Sequence, residues 1–383
     1  MTGRRVYRIR TGKTLFGFGD PIADVPILGR TLADWQERIA SRFKLRLADV
    51  GDEAEIEERP YLAFRDDLFF TPAFFKAALD EANRSTHSLR FCLAHNCFND
   101  RFVLPSSHQA QSEIALPFVC THDERAGQET ACVIRQRVYP HGTAIPGQVV
   151  SSGFYDYPQC SVFASSIHSP FHLLQLNLAM GLYRSAIIRD RFPKSMVDRI
   201  APFSSRRFFW LLRAINKIGR GCRIHPTARL EGVHLADNVV VGANAIVRLS
   251  TIGSGTTIDD QASVTYSVVG ERNYIFNKNH LSFSMTYDDV FLIHGPYNFS
   301  VFGRSSAVFA VINCDFRLDQ ENIKIPTDFG IVDSRQPLLG IAYGHGSKIG
   351  GGNIIAPGRI VPNYQHIEPP ANIIMGFPDH ARV

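Results

Sequence analysis

Long hydrophobic runs are missing from this sequence. The longest apolar stretches, such as Phe208 to Leu212 and Phe291 to Ile293, are far shorter than the roughly 18 to 20 residues that span a bilayer. The N-terminal stretch MTGRRVYRIRTGK is positively charged, but no apolar region follows it, so it does not have the pattern of a secretory signal. We therefore expect no transmembrane helix and a cytoplasmic protein.

Paired cysteines and concentrated basic charge are also missing. The seven cysteines are an odd number, are widely scattered and include no CxxC pair. This pattern predicts reduced, mostly buried thiols rather than a disulfide framework or a zinc site. The net charge of +5 is distributed without the basic stripe that is typical of nucleic-acid-binding proteins. We therefore expect no nucleic-acid partner.

The composition is that of an ordinary globular protein, with 45% hydrophobic and 20% charged residues. A chain of 383 residues exceeds what one hydrophobic core usually organises. We predict an α/β domain at residues 1–200, a connecting amphipathic helix at 201–221 and a repeat domain at 222–383. The basic stretch 206–217 is expected to pack between the domains, and the alternative is a peripheral contact with an anionic membrane.

A repeat of five or six residues dominates the C-terminal part. The spacings between successive aliphatic residues are 6, 5, 6, 6, 5, 6, 6 and 5. Ordinary sheet alternation has a period of two, whereas three short strands joined by three tight turns give this pattern, with each coil stacked on the last. It predicts a parallel β-helix. The recurring residues are Ile224, Leu230, Leu235, Val241, Val247, Ile252, Ile258, Val264 and Val269.

The same spacing of aliphatic residues returns near the C-terminus. Between the two runs the strict spacing is lost, so we predict an irregular insertion at about 271–337. Departures of this kind are where β-helix enzymes carry functional loops. The residues of the second run are Leu338, Tyr343, Ile349, Ile355 and Val361.

Two segments of the predicted insertion, NKNHLSFSMTYDDV and AVINCDF, resemble the acetyltransferase half of the bifunctional bacterial enzymes that make UDP-N-acetylglucosamine. The resemblance implies a left-handed β-helix that trimerises, and an acyl-CoA co-substrate. It also implies that His280 is the general base, a role that suits a side chain with a pKa near neutrality. His294 and His345 are the alternative bases.

The same resemblance assigns binding residues. Arg248, Tyr266 and Lys278 are placed where the family grips the sugar phosphate, and Asn313 and Asp315 belong to the second block, in which the family's order is altered. A second group is expected to bind the pyrophosphate of coenzyme A through charge. Its members are Lys348, Arg359 and His345.

Residues 1–200 alternate predicted strands with helices at Thr31 to Phe43, Pro72 to Asn83 and Pro170 to Arg189, which predicts a mixed or parallel sheet. The segments PILGRTL, YLAFRDDLFF and IHSPFHLLQLN resemble, in order, parts of a sugar nucleotidyltransferase domain. That resemblance implies that Asp66 and Asp67 hold Mg²⁺. The stretch TGKTLFGFGD lacks the family's Gly-Thr-Arg loop, so a degenerate domain is the alternative.

The predicted fold class is thus an α/β N-terminal domain with a nucleotidyltransferase-like mixed sheet, followed by a C-terminal left-handed parallel β-helix. The function predicted first is acyl-CoA-dependent acyl transfer to a sugar, sugar phosphate or sugar nucleotide. Two alternatives stay open. One is a magnesium-dependent sugar-1-phosphate nucleotidyltransferase, and the other is a non-catalytic sugar-nucleotide-binding or scaffold protein.

Overall fold

The computed structural model describes residues 5–105, 113–122, 129–191 and 212–369. A six-stranded mixed sheet with strand order β4-β1-β5-β8-β7-β9 organises the N-terminal part. Strands β4, β1 and β5 are parallel neighbours, and β8 runs antiparallel to both β5 and β7. The strands of this part are β1 (Arg5–Ile9), β2 (Pro26–Ile27), β3 (Arg30–Thr31), β4 (Arg46–Val50), β5 (Tyr61–Arg65), β6 (Leu68–Phe70), β7 (Leu89–Ala94), β8 (Glu113–Thr121), β9 (Thr130–Val133), β10 (Val138–Tyr139), β11 (Gly142–Ala144), β12 (Phe154–Asp156), β13 (Gln159–Cys160) and β14 (Ala164–Ser166).

Two of the helices begin at threonine caps. Thr31 Oγ1 accepts a hydrogen bond from Asp34 N (3.1 Å), and Thr71 Oγ1 accepts one from Phe74 N (3.2 Å), so each hydroxyl satisfies an otherwise unpaired donor of the first helical turn. All three predicted helices are confirmed to within one residue at each end. The helices are α1 (Leu32–Arg42), α2 (Pro72–Arg84), α3 (Cys97–Phe102) and α4 (Pro170–Asp190), with 3₁₀ turns at Ile22–Asp24 and Glu53–Glu55.

The C-terminal part is a parallel β-helix with three faces. Strands of each face pair in parallel register, mostly 17 residues apart in the chain. Face 1 consists of Lys217–Ile218, His234–Leu235, Thr251–Ile252, Val268–Val269, Met285–Thr286, Val301–Phe302, Ala342–Tyr343 and Ile360–Val361. Face 2 consists of Arg223–Ile224, Val240–Val241, Thr257–Ile258, Tyr274–Ile275, Phe291–Ile293, Ala307–Phe309, Lys348–Ile349 and His366–Ile367. Face 3 consists of Arg229–Glu231, Ile246–Arg248, Ser263–Thr265, His280–Ser282 and Tyr297–Asn298, and Ile312–Asn313 pairs separately with Ile354–Ile355.

The repeating aliphatic residues fill the interior of the coils. Leu235 pairs with Ile252, which in turn pairs with Val269, and each is at most 2% exposed. Full burial of such a side chain stabilises the fold by roughly 1.5–3 kcal/mol, so the stacked columns hold the coils together. The predicted fold class, α/β followed by a β-helix, is confirmed. All seven cysteines are free, as expected.

Three predicted boundaries differ from the structure. The β-helix begins at Lys217–Ile218, inside the predicted connecting helix. Helical structure within that region covers 212–214, and residues 201–211 lie outside the described residues. Leu338 is not part of a coil strand but forms an isolated antiparallel bridge with Phe316.

The irregular insertion is shorter than predicted, because regular coils continue to Asn313. Two features make the regular spacing of these coils hard to recognise in the sequence. One coil is a residue shorter, so that Ser282 pairs with Asn298, 16 residues on. Aromatic rather than aliphatic side chains fill interior positions, with Tyr297 and Phe302 both fully buried. The departure is confined to 314–337 and contains an antiparallel hairpin, Lys324–Thr327 with Gly330–Asp333.

The two parts share one hydrophobic core. The first half of helix α4, residues 170–180, is buried on all sides, and apolar residues occupy most of its positions. Its apolar side chains join Leu15 and Phe18 of the loop after β1, and Met285 and Tyr287 of the β-helix, in a single buried cluster. The N-terminal part therefore covers one side of the β-helix and leaves the other side open.

Candidate functional site

The corner between faces 2 and 3 is formed by residues 242–245, 259–262, 276–279 and 294–296, and is here called the open corner. In each of its coils one residue adopts a left-handed backbone conformation: Asn244, Gln261, Lys278 and His294 have φ between 56° and 59°. This conformation turns the chain sharply between two strands. Lys278 and His294 are both exposed there, in successive coils.

His280 begins the face 3 strand that leaves the open corner. Leu281 points into the coil, whereas His280 is exposed. Among the residues that the structure describes, none donates a hydrogen bond to the His280 ring or accepts one from it. Partial burial lowers the pKa of His280. The imidazole is therefore neutral near pH 7, which is the form that accepts a proton.

The neighbouring residue, Asn279, has an unsatisfied side chain. It is 1% exposed, and neither its amide nitrogen nor its amide oxygen has a hydrogen-bond partner. A Cβ atom at Gly295 would lie 2.4 Å from Asn279 Oδ1, so the Asn279 amide packs against Gly295 more closely than any side chain at that position would allow. Buried polar groups without partners are rare in folded proteins. The open corner thus presents a neutral histidine and a lysine to solvent, and the unpaired amide is buried in the coil behind them.

Two residues predicted to bind the sugar phosphate are elsewhere, so that part of the prediction is not supported. Arg248 Nε donates to the fully buried Glu231 (2.7 Å). Burial alone would raise the pKa of Glu231, but hydrogen bonds from Arg248 and Arg229 lower it. Tyr266 lies on another corner, where its ring stacks on Phe283 at 4.7 Å. Of the three predicted phosphate ligands, only Lys278 is at the open corner.

Asn313 and Asp315, the predicted binding residues of the second block, make hydrogen bonds within the β-helix. Asn313 Nδ2 donates to Asn298 O (3.2 Å), and its Oδ1 accepts from Tyr343 Oη (3.2 Å). Asp315 accepts from Asn298 Nδ2 (3.0 Å), and burial raises its pKa. These contacts link successive coils. Neither residue belongs to the open corner.

The three predicted coenzyme A ligands do not converge within one chain. Lys348 is exposed on face 2, and Arg359 is exposed just before a face 1 strand. His345 is buried against the N-terminal part, where its Nδ1 accepts from Arg304 N (2.7 Å) and its Nε2 lies 2.8 Å from Asp20 Oδ2. The rings of Phe18 and Tyr287 flank it. The Nδ1 atom of His345 is therefore bonded within the β-helix, and Nε2 makes the contact with the N-terminal part.

The predicted magnesium ligands face different partners. Asp66 accepts hydrogen bonds from Thr11 N (3.1 Å) and Thr11 Oγ1 (2.6 Å). Asp67 pairs instead with Arg65 and, at 3.7 Å, with Lys13 Nζ. Within the described ranges no group of three or more His, Cys, Asp or Glu side chains could hold a metal. The residues present do not support a magnesium centre here.

Sequence reasoning missed a polar cluster around Asp67. Lys13 Nζ lies 3.5 Å from Asp328 Oδ2, and His168 Nδ1 lies 3.3 Å from Asp328 Oδ1. Lys13 after β1 and Asp67 after β5 could have been found, because the carboxyl ends of parallel strands share one edge of a sheet. Asp328 could not, since it comes from the distant insertion.

No protein-family model and no curated protein sequence matches the chain. Among solved structures, the chain is similar to that of a presumed acetyltransferase of Bacillus cereus. The sequence identity is 15%, the match covers 40% of this chain and 76% of that chain, and the TM-score is 0.24. This likeness carries no argument about activity. In the described part of the chain, no helix has both the length and the apolar character needed to cross a membrane.

Proposed function

We propose that this protein is an acyltransferase that moves an acyl group from acyl-CoA to a sugar, sugar phosphate or sugar nucleotide, with His280 as the general base. The observation that carries the proposal is the exposed His280 ring, which has no partner in the described part of the chain and a lowered pKa. It lies at the open corner, two residues after the exposed Lys278.

The proposed reaction needs one proton acceptor at this position. The neutral His280 imidazole takes the proton from an acceptor amine or hydroxyl as that group attacks the thioester carbonyl carbon. The new C–N or C–O bond forms, the C–S bond breaks, and coenzyme A leaves as its thiol with the proton returned by the imidazolium. Lys278 would attract a phosphate on the acceptor.

The donor site would lie between two prisms. Lys348 and Arg359 belong to different faces, so one prism does not bring them together. In a trimer of parallel prisms, a neighbouring subunit would supply the second charge. If the donor site is built in this way, activity requires the trimer, which a site within a single chain would not.

The nucleotidyltransferase alternative is less well supported, because Asp66 is engaged by Thr11, and Asp67 by Arg65 and Lys13. Its assay is magnesium-dependent release of pyrophosphate from a nucleoside triphosphate and a sugar phosphate. Release of pyrophosphate without any acyl transfer would replace the first proposal by this one. If neither reaction is detected, the non-catalytic binding role becomes the favoured alternative.

The direct experiment measures thiol release from acetyl-CoA and longer acyl-CoAs in the presence of amino sugars, sugar phosphates and sugar nucleotides. With an acceptor found, we expect His280→Asn to lose about 100-fold or more in kcat, as is usual when a general base is removed. His366→Asn is the matched control, because His366 is also an exposed first residue of a coil strand. Equal rates for His280→Asn and the unsubstituted protein would contradict the proposal.

A further inference from the structure

The hairpin of the insertion has its tip against the N-terminal sheet. Its two strands, Lys324–Thr327 and Gly330–Asp333, are joined by the two residues Asp328 and Phe329. Thr327 Oγ1 donates to Gly330 O (2.7 Å), and Gly330 has a φ of 117°, which a residue with a side chain rarely adopts. The tip is therefore a tight turn with a defined shape.

The tip reaches the carboxyl edge of the parallel strands. Lys13 follows β1 and Asp67 follows β5, and open α/β sheets bind their ligands at this edge. The Asp328 carboxylate lies 3.5 Å from Lys13 Nζ and 3.3 Å from His168 Nδ1. The Phe329 ring meets the His168 ring edge-on at 5.3 Å. The hairpin thus supplies an anion to a site made by the other part of the molecule.

Two buried polar atoms around this position have no hydrogen-bond partner. They are Asp67 Oδ1 and Arg65 Nε. Asp67 is completely buried, and His168, whose Nδ1 faces the Asp328 carboxylate, is 8% exposed. An unsatisfied buried polar group typically costs about 1–3 kcal/mol, so two together at one edge indicate a site arranged for a ligand rather than for the fold alone.

The charges show what kind of ligand would fit. Lys13 and Arg65 are positive, and Asp67 and Asp328 are negative. The net charge of these four side chains is therefore zero only while Asp328 is in place. Lys13 and Asp328 remain 37% and 34% exposed, so solvent reaches their contact. Withdrawal of the tip would leave Lys13 without the Asp328 carboxylate and free the Nδ1 side of His168.

We propose that this edge is a binding site for a phosphate group of a small ligand, and that Asp328 occupies the site as an internal competitor. The phosphate would displace the Asp328 carboxylate, take its place on Lys13 and approach His168. Ligand binding and seating of the hairpin then exclude each other. The proposal does not depend on acyl transfer at the open corner.

The test titrates the full-length protein with inorganic phosphate by calorimetry. We expect Asp328→Asn to bind phosphate about tenfold tighter than the unsubstituted protein, because the internal competitor has lost its charge. Adding Lys13→Met to Asp328→Asn should abolish the gain. Asp333→Asn, an exposed carboxylate of the same hairpin, is the control and should not change affinity.

Thermal melts would first establish that each variant is folded, and Phe329→Ala provides a second way to loosen the tip without altering charge. We expect it too to tighten phosphate binding. Equal affinity of Asp328→Asn and the unsubstituted protein would overturn the proposal. So would a gain that survives Lys13→Met, or no phosphate binding by any of the proteins.

Discussion

Two corners of the β-helix use the same backbone turn for opposite purposes. The open corner has Gln261, Lys278 and His294 in the left-handed conformation, with φ between 56° and 59°. The corner between faces 3 and 1, here called the covered corner, has aromatic residues in that conformation, with φ between 47° and 50°. They are Tyr266, Phe283 and Phe299.

The difference follows from what lies outside each corner. On the covered corner, Phe283 stacks between Tyr266 at 4.7 Å and Phe299 at 5.1 Å, and Tyr155 of the N-terminal part meets Phe299 at 5.5 Å. Each such pair contributes about 0.5–1.5 kcal/mol beyond its buried area, which offsets the cost of a left-handed residue with a side chain. On the open corner no such cover is present in the described residues, and polar side chains are available for chemistry.

The largest effect is expected from removing an aromatic ring at the covered corner. Phe299→Ala should lower the free energy of unfolding by about 3 kcal/mol or more, because it empties a buried site between the two parts. Phe276→Ala at the open corner is the matched change and should cost less than about 1 kcal/mol. Urea denaturation of both variants measures the difference. Equal losses would show that the two corners are not distinct in stability.

The next effect concerns the contact that holds the N-terminal part on the β-helix. Asp20→Ala leaves the Nε2 atom of His345 and the hydroxyl of Tyr287 buried without their common acceptor. We expect a loss of about 1–3 kcal/mol in unfolding free energy. Asp24→Ala, an exposed carboxylate of the same loop, should have little effect. A similar small loss for both variants would mean that the Asp20 contact is dispensable.

A third prediction concerns pH at the open corner. Because partial burial lowers the pKa of His280 below its ordinary 6.5, the base stays neutral until the pH falls below that value. The acid limb of kcat/KM should therefore be centred below pH 6.5, with activity nearly constant between pH 7 and 8. A limb centred above 6.5 would assign the base to another group. His366→Asn should leave the profile unchanged.

The smallest effect is expected at Asp315. Burial raises the pKa of Asp315 in the folded protein, so its ionisation costs stability above that pKa, and the cost disappears as the pH falls through it. Asp315→Asn removes this cost while keeping an acceptor for Asn298. The variant should therefore gain stability relative to the unsubstituted protein as the pH rises from 4 to 8. A stability difference that does not change with pH would contradict the raised pKa.

The regular coils could be predicted from the sequence, whereas the length of the insertion could not. Inward positions such as Val241 and Ile258 repeat because every coil must fill the same interior, and that requirement is visible one residue at a time. The coil that contains Tyr297 is one residue shorter and has an aromatic side chain at an interior position, so it departs from the aliphatic spacing. Its backbone pairing is nevertheless regular. Spacing alone cannot separate a shorter coil from an insertion.

The candidate sites divide in the same way. His280 and Lys278 were selected from the sequence by resemblance, and the structure places both exposed at the open corner because they are two residues apart at one turn. Lys348, Arg359 and His345 looked like one site in sequence but separate onto different faces, since residues a few positions apart in a β-helix turn to different sides.

The sequence by itself determined the β-helix, because its coils depend on short-range periodicity. Only the tertiary structure decided which side of the prism is covered, and that Asp328 lies against Lys13 and His168. Those contacts join residues far apart in the chain, and no local pattern encodes them. They follow from how the insertion and the N-terminal sheet pack over the same side of the coils.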